Sequence, residues 1–233
     1  MTTYLITGAN RGLGWAMVQQ VAQAGDTVFA GCRTPQSAAD LQVLAAKHNN
    51  IYLVQLDVTD ENSVMAAAQA VLAETAKIDV LINNAAIKID DKNLQDVSAD
   101  VIQTTMNVNV VGPLLMAKHF VGLLKKSSQA RLVNISGRLA SLLLLEDKKW
   151  GSYSYNGSKA AMNVATRMMA HELKPDGICV VSVHPGWMQT DMGGASADLA
   201  PSASAEGVLA LIAKLTLVDT NKFLVYNGED HPW

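Results

Sequence analysis

Thr7-Gly8-Ala9-Asn10-Arg11-Gly12-Leu13-Gly14 joins a short apolar run, Thr3–Thr7, to an amphipathic stretch, Gly14–Ala24. A strand, a glycine-rich turn and a helix in that order make a cradle for phosphate. Glycines at 8, 12 and 14 let the backbone turn tightly and approach an anion with no Cβ in the way. The helix beyond offers unpaired N–H groups and a partial positive charge to that anion. Three glycines alone are a weak signal, and a tight turn that binds nothing is the bland alternative. Their place between the first strand and the first helix of an alternating chain makes the signal strong.

That alternation runs through the whole sequence. Strands are expected at Thr3–Thr7, Thr27–Ala30, Ile51–Leu56, Val80–Ile82, Leu132–Ile135, Cys179–Val183 and Phe223–Val225. Helical patterns lie between them at Gly14–Ala24, Ser63–Ala76, Val101–Leu124 and Ala160–Leu173. Continuous apolar strands separated by helices predict a parallel sheet covered on both faces. The expected fold is α/β: a doubly wound, mostly parallel seven-stranded sheet of Rossmann type. No repeat or linker divides residues 1–233, so one dinucleotide-binding domain is expected.

Two segments break the rhythm, and both follow strands. Residues 137–152 carry Leu142-Leu143-Leu144-Leu145 and then Glu146-Asp147-Lys148-Lys149. The leucines read as ordinary packing, as substrate-pocket lining or as a subunit contact. Residues 187–206 hold Gly193-Gly194 and Pro201 and read as a flexible loop or a closing lid.

Composition narrows the function. A net charge of −3 argues against a nucleic-acid or anionic-membrane surface. Cys32 and Cys179 lie far apart with no metal-ligand spacing, and both read as reduced, buried residues. The five histidines form no ligand set, and no metal is expected. The chain runs into Tyr4-Leu5-Ile6 without a charged leader, and Leu142 to Leu145 is much too short to cross a bilayer. A cytoplasmic protein is expected; homodimer or homotetramer formation is left open.

The end of the second strand selects the dinucleotide. An acid there accepts the ribose 2′-OH of NAD and repels a 2′-phosphate. This chain has Gly31-Cys32-Arg33, with no carboxylate before Asp40. Arg33 and Arg11 are expected to clamp a 2′-phosphate from two sides, which favours NADP(H). Tyr155 and Lys159 stand four residues apart at the start of a helix, so phenol and ammonium share one face. A nearby cation stabilises phenolate, so Lys159 is expected to lower the Tyr155 pKa toward working pH.

Together these motifs resemble the short-chain dehydrogenase/reductase superfamily over nearly the whole chain. The resemblance rests on Thr7–Gly14, Asp57-Val58, Asn83-Asn84-Ala85-Ala86, Asn109 in Asn109-Val110-Val111-Gly112, Tyr155 with Lys159, and His184-Pro185-Gly186 with Thr190. The run from His184 to Gly194 and the ending Tyr226-Asn227-Gly228-Glu229 look most like the C-factor and Sniffer-type carbonyl reductases. It implies an NADPH-dependent reduction of a small, largely apolar carbonyl compound. Tyr155 would protonate the carbonyl oxygen, Lys159 would lower its pKa and bind the nicotinamide ribose, and Asn109 would hold a relay water. Asn109 also has a plainer reading, a buried amide satisfying backbone. The cofactor would lie on Gly8, Asn10, Arg11, Gly12, Leu13, Gly14 and Arg33, with Asp57 and Val58 at the adenine. Asn84, Ala85, Ala86, Tyr155, Lys159, Pro185, Gly186, Met188 and Thr190 would hold the rest.

One family residue is missing. Members usually carry N-x-S-S after the fifth strand, the second serine orienting the substrate oxygen; here the run is Asn134-Ile135-Ser136-Gly137. Ser136 is expected to point away, since strand side chains alternate faces. Ser141 would reach the site only through a loop rearrangement. Gly137 thus motivates a second reading, a non-catalytic NADP(H)-binding sensor. A third is another reaction on the same fold, alcohol oxidation or epimerisation. His184, before Pro185, reads as a satisfied structural histidine.

Overall fold

The computed structural model describes residues 1–145 and 151–233. In chain order they form β1 (Thr3–Thr7), α1 (Gly12–Gln23), β2 (Thr27–Cys32), α2 (Ala39–Lys47), β3 (Ile51–Gln55), α3 (Glu61–Glu74) and β4 (Val80–Asn83). There follow α4 (Ala99–Met106), a wide π-type stretch (Asn107–Val111), α5 (Gly112–Leu124), β5 (Arg131–Ile135), α6 (Tyr153–Leu173), β6 (Cys179–His184), α7 (Pro201–Lys214) and β7 (Phe223–Val225). The seven strands pair in the order β3-β2-β1-β4-β5-β6-β7, every pair parallel. This is the doubly wound sheet expected from the alternation.

The strands read as unbroken apolar runs because both of their faces are covered. Ile6, Ala30, Ile82, Val133 and Val181 pack on one side with residues of α1, α2 and α7. Their neighbours Leu5, Phe29, Leu81, Leu132 and Val180 pack on the other with residues of α3, α5 and α6. Alternating strand side chains thus feed two cores.

Some boundaries differ from the sequence reading. The pattern over Val101–Leu124 is interrupted by the π-type stretch, which holds Asn109. By length and composition the run Ala99–Leu124 is apolar enough to cross a membrane. In the fold it lies against the sheet, with Met116, Phe120 and Leu124 fully buried. Pro201 opens α7 at a position where a missing N–H costs nothing. Residues 201–206 are therefore helix, and only residues before them form a loop. Of the leucine run, Leu142, Leu143 and Leu145 are exposed, Leu142 to 77%, so they do not pack in the core. They do not line the cleft described below either. Residues 146–150, with the charged run Glu146 to Lys149, lie outside the described residues.

Candidate active site

A cleft of about 910 Å³ runs along the carboxyl ends of the strands, across the point where the strand order reverses between β1 and β4. Open α/β sheets bind ligands at this edge. Thr7 ties its two halves together: its hydroxyl accepts the N–H groups of Asn84 and Ala85 at 3.0 and 2.9 Å. The Asn84 amide in turn donates to the carbonyls of Thr7 and Gly8 at 2.8 and 3.2 Å. The glycine loop and the segment after β4 are thus one rigid unit.

Every residue expected to hold the cofactor lines this cleft except Gly14 and Gly186. Gly14 lies beneath the loop, where a Cβ would collide with the Gly8 carbonyl oxygen. Gly8 has φ +64°, a left-handed conformation that other residues adopt at a cost. Such a cradle, shaped so that no side chain fits, suits a pyrophosphate laid against backbone. Arg33 is exposed at the end of β2 and makes no ion pair among the described residues. Arg11 lines the same cleft, but its guanidinium pairs with Asp191 at 3.0 Å. Both groups of that pair are largely exposed, so it stabilises by only about 0.2–1 kcal/mol. Asp57 accepts both the N–H and the hydroxyl of Thr59, at 2.9 and 2.7 Å.

Tyr155 and Lys159 occupy the first two turns of α6, whose N-cap, Ser152, accepts the Tyr155 N–H at 3.3 Å. The Lys159 ammonium sits 5.8 Å from the centre of the Tyr155 ring and donates to the Ile135 carbonyl at 2.8 Å. The expected lowering of the tyrosine pKa is not what this geometry gives. Burial pushes the phenol up to about 12 and the ammonium down to about 8. Desolvation disfavours both charged forms, and it outweighs a cation held on a carbonyl rather than on the phenol oxygen.

Asn109 is fully engaged at its amide nitrogen, which donates to the Ile87 carbonyl and the Ser158 hydroxyl, both at 2.9 Å. Its oxygen accepts the Ile87 N–H at 2.9 Å. It therefore pins the segment after β4 to α6, and among the described residues one oxygen lone pair remains for a water.

Gly137 has φ −173° and ψ 161°, extended backbone that any residue adopts. Among the described residues a Cβ there would meet only the Tyr155 hydroxyl oxygen, at 3.8 Å. The place of the missing serine thus faces the phenol, and no other described residue crowds it. Ser136 turns its hydroxyl to α6, donating to Asn163 at 2.8 Å, and Ser141 donates to the Trp233 carbonyl at 3.1 Å. His184 is less satisfied than its sequence context implied. Its Nδ1 is buried without a partner among the described residues, and its ring meets that of His231 at 5.4 Å. Burial, helped by the charges of His231 and Arg138, pushes its pKa down to about 4.

Three supporting residues escaped the sequence reading: Ser152, Ser158 and Asp91. Ser152 had a signal, since a serine three residues before a helical Tyr155 is a common N-cap. The contacts of Ser158 with Asn109 and of Asp91 with Ser154 had none, because those partners are distant in sequence.

The chain was compared with known proteins. A family model described as short chain dehydrogenase matches residues 2–199. The NADPH-bound carbonyl reductase from chicken fatty liver superposes with a TM-score of 0.95 at 34% identity, covering 100% of this chain and 99% of that one. The carbonyl reductase Sniffer of D. melanogaster gives 0.95 at 32% identity, with all of both chains covered. C-signal of Myxococcus xanthus is 37% identical over 159 residues, which are 68% of this chain and 95% of that protein. With its glycine cradle and its Tyr155–Lys159 pair at the edge of a parallel sheet, this chain belongs to the short chain dehydrogenase family.

Proposed function

We propose that this oxidoreductase reduces a small, largely apolar aldehyde or ketone with NADPH, Tyr155 being the proton donor. The observation that carries this reading is Tyr155 itself. Its phenol is protonated at neutral pH, as an ordinary tyrosine is, and burial raises its pKa further to about 12; it lines the cleft with Lys159 and faces Gly137. When bound, the nicotinamide supplies the hydride. The glycine loop and the N-terminus of α1 would hold its pyrophosphate, and Arg33 a 2′-phosphate.

The residues do the rest. Tyr155 donates its proton as charge builds on the substrate oxygen. The Lys159 ammonium favours the phenolate that remains. Asn109 keeps Ile87 and Ser158 in place, and its free lone pair is available to a water that returns the proton. Ile87, Val108, Met188 and Met192 share the cleft with Tyr155 and give the substrate side an apolar surface. The carbonyl reductases named above support the substrate class and the cofactor.

The deciding experiment is NADPH oxidation followed by absorbance with a panel of aldehydes, ketones and diketones. Turnover above background supports the reading; NADPH binding without turnover on any of them supports the sensor reading instead. The same assay tests Arg33. NADPH should bind at least about tenfold tighter than NADH, a charge-assisted contact amounting to more than 1.4 kcal/mol. Arg33→Ala should remove most of that difference and leave NADH nearly unchanged; equal dissociation constants in the unmodified protein refute it.

A pH profile tests Lys159. The ammonium, with its pKa depressed to about 8, is charged below that pH and neutral above it. Reduction should therefore be flat from pH 6 to 7 and fall above about pH 8, approaching one log unit of kcat/KM per pH unit. Lys159→Ala should abolish that limb along with most of the activity.

A further inference from the structure

Asp91, in the segment between β4 and α4, is an acidic residue with 0% exposure. A carboxylate is that deeply buried only where other groups compensate for its lost hydration. Among the described residues that compensation comes from the N-terminus of α6 and reaches one carboxylate oxygen, Oδ2, while Oδ1 is buried without a partner among them. The Asp91 carboxylate accepts the Ser154 N–H at 2.9 Å, and its backbone carbonyl accepts the Tyr153 N–H at 3.3 Å. Tyr153 and Ser154 are the first two residues of α6, and Tyr155 is the third. The N–H groups that open a helix have no partner within it. Two of those of α6 are satisfied by Asp91, and the next two, of Tyr155 and Asn156, by Ser152. The carboxylate also complements the positive end of the helix dipole.

We infer that Asp91 is a positioning residue for Tyr155: it clamps the first turn of α6 and so holds the phenol in register with the cleft. A first turn is the part of a helix most prone to fray. A catalytic group there needs an anchor from outside the helix, because a displacement of about 1 Å can cost about a hundredfold in rate. The anchor is also well placed to transmit order. The segment that carries Asp91 is fixed at Ile87 by Asn109, and Ala85, Ala86 and Ile87 line the cleft. One strap of residues 84–91 therefore joins the cofactor side of the cleft, Asn109 and the turn that bears Tyr155.

The inference rests on Tyr155 being the proton donor, and the experiment separates the two. Asp91→Ala, Asp91→Asn and Tyr155→Phe are compared for kcat, for the KM of NADPH and for NADPH binding by fluorescence. Asp91→Ala should lower kcat at least about tenfold and leave the NADPH KM within about threefold, since the anchor touches the proton donor and not the cradle. Asp91→Asn should recover kcat to within about threefold of the unmodified enzyme, because an asparagine oxygen still accepts at a helix N-terminus. A merely structural role would not give that pattern of split and rescue. Should Asp91→Ala not yield folded protein by circular dichroism, Asp91→Ser, whose hydroxyl is too short to reach, is read by the same criteria. An alanine or serine variant with more than half the unmodified kcat overturns the inference. So does parallel loss of NADPH binding and turnover, or an asparagine variant no better than alanine. If instead Tyr155→Phe stays active, the proton-donor reading itself falls.

Discussion

Tyr155→Phe is expected to lower turnover about a thousandfold, within the range that a positioned general acid contributes, while NADPH affinity stays within about threefold. The phenol lies at the start of α6 and is protonated at neutral pH, with burial pushing its pKa up to about 12. Phenylalanine keeps the ring and its packing and removes only the hydroxyl, and with it the proton. Because that proton is shared with the substrate oxygen only as the transition state forms, its loss appears in kcat and barely in ground-state binding. Steady-state rates with NADPH and a reactive aldehyde, set beside a fluorescence titration of NADPH, measure both. A variant keeping more than about a tenth of the activity would mean that another group delivers the proton.

Gly137→Ser is expected to raise kcat by one to two orders of magnitude on a simple carbonyl, part of the factor that one oxyanion-type donor typically supplies. The position is extended, so serine meets no backbone penalty there. Its Cβ would stand 3.8 Å from the Tyr155 oxygen with no other described residue within 4 Å, which leaves room for a hydroxyl aimed at a shared substrate atom. Neither nearby serine is free to do this, since Ser136 is bonded to Asn163 and Ser141 to Trp233. The gain should appear in both kcat and kcat/KM, as expected of a bond that strengthens with developing charge. Replacing a glycine at a compatible φ also restricts the unfolded chain, so the melting temperature should hold or rise slightly. A stable Gly137→Ser protein with unchanged turnover would show that a water or another donor already serves the substrate oxygen.

Much of this protein is written in short stretches. Thr7–Gly14 specifies its turn because the steric freedom of glycine is a property of each residue alone. Most strands announce themselves as apolar runs because both of their faces are buried, the edge strand β3 with its exposed Tyr52 and Gln55 being the exception. Tyr155 and Lys159 share a helix face by their spacing of four, wherever that helix packs. These features depend on fewer than about a dozen neighbours, and a reader of the sequence has all of them.

What the tertiary structure decided depends on segments that meet only on folding. Asp91 reaches Ser154 across 63 positions and Asn109 reaches Ser158 across 49; no periodicity marks either pair. Arg11 was legible as a phosphate ligand, but only the fold shows Asp191, 180 positions away, already on its guanidinium. The Leu142 run read as packing, pocket lining or a subunit contact, and its exposure depends on how the loop leaves β5. The spacing of Tyr155 and Lys159 predicted that charge would dominate their titration. Their burial reverses the sign for the tyrosine, because desolvation is set by the whole surrounding fold and a sequence motif does not contain it.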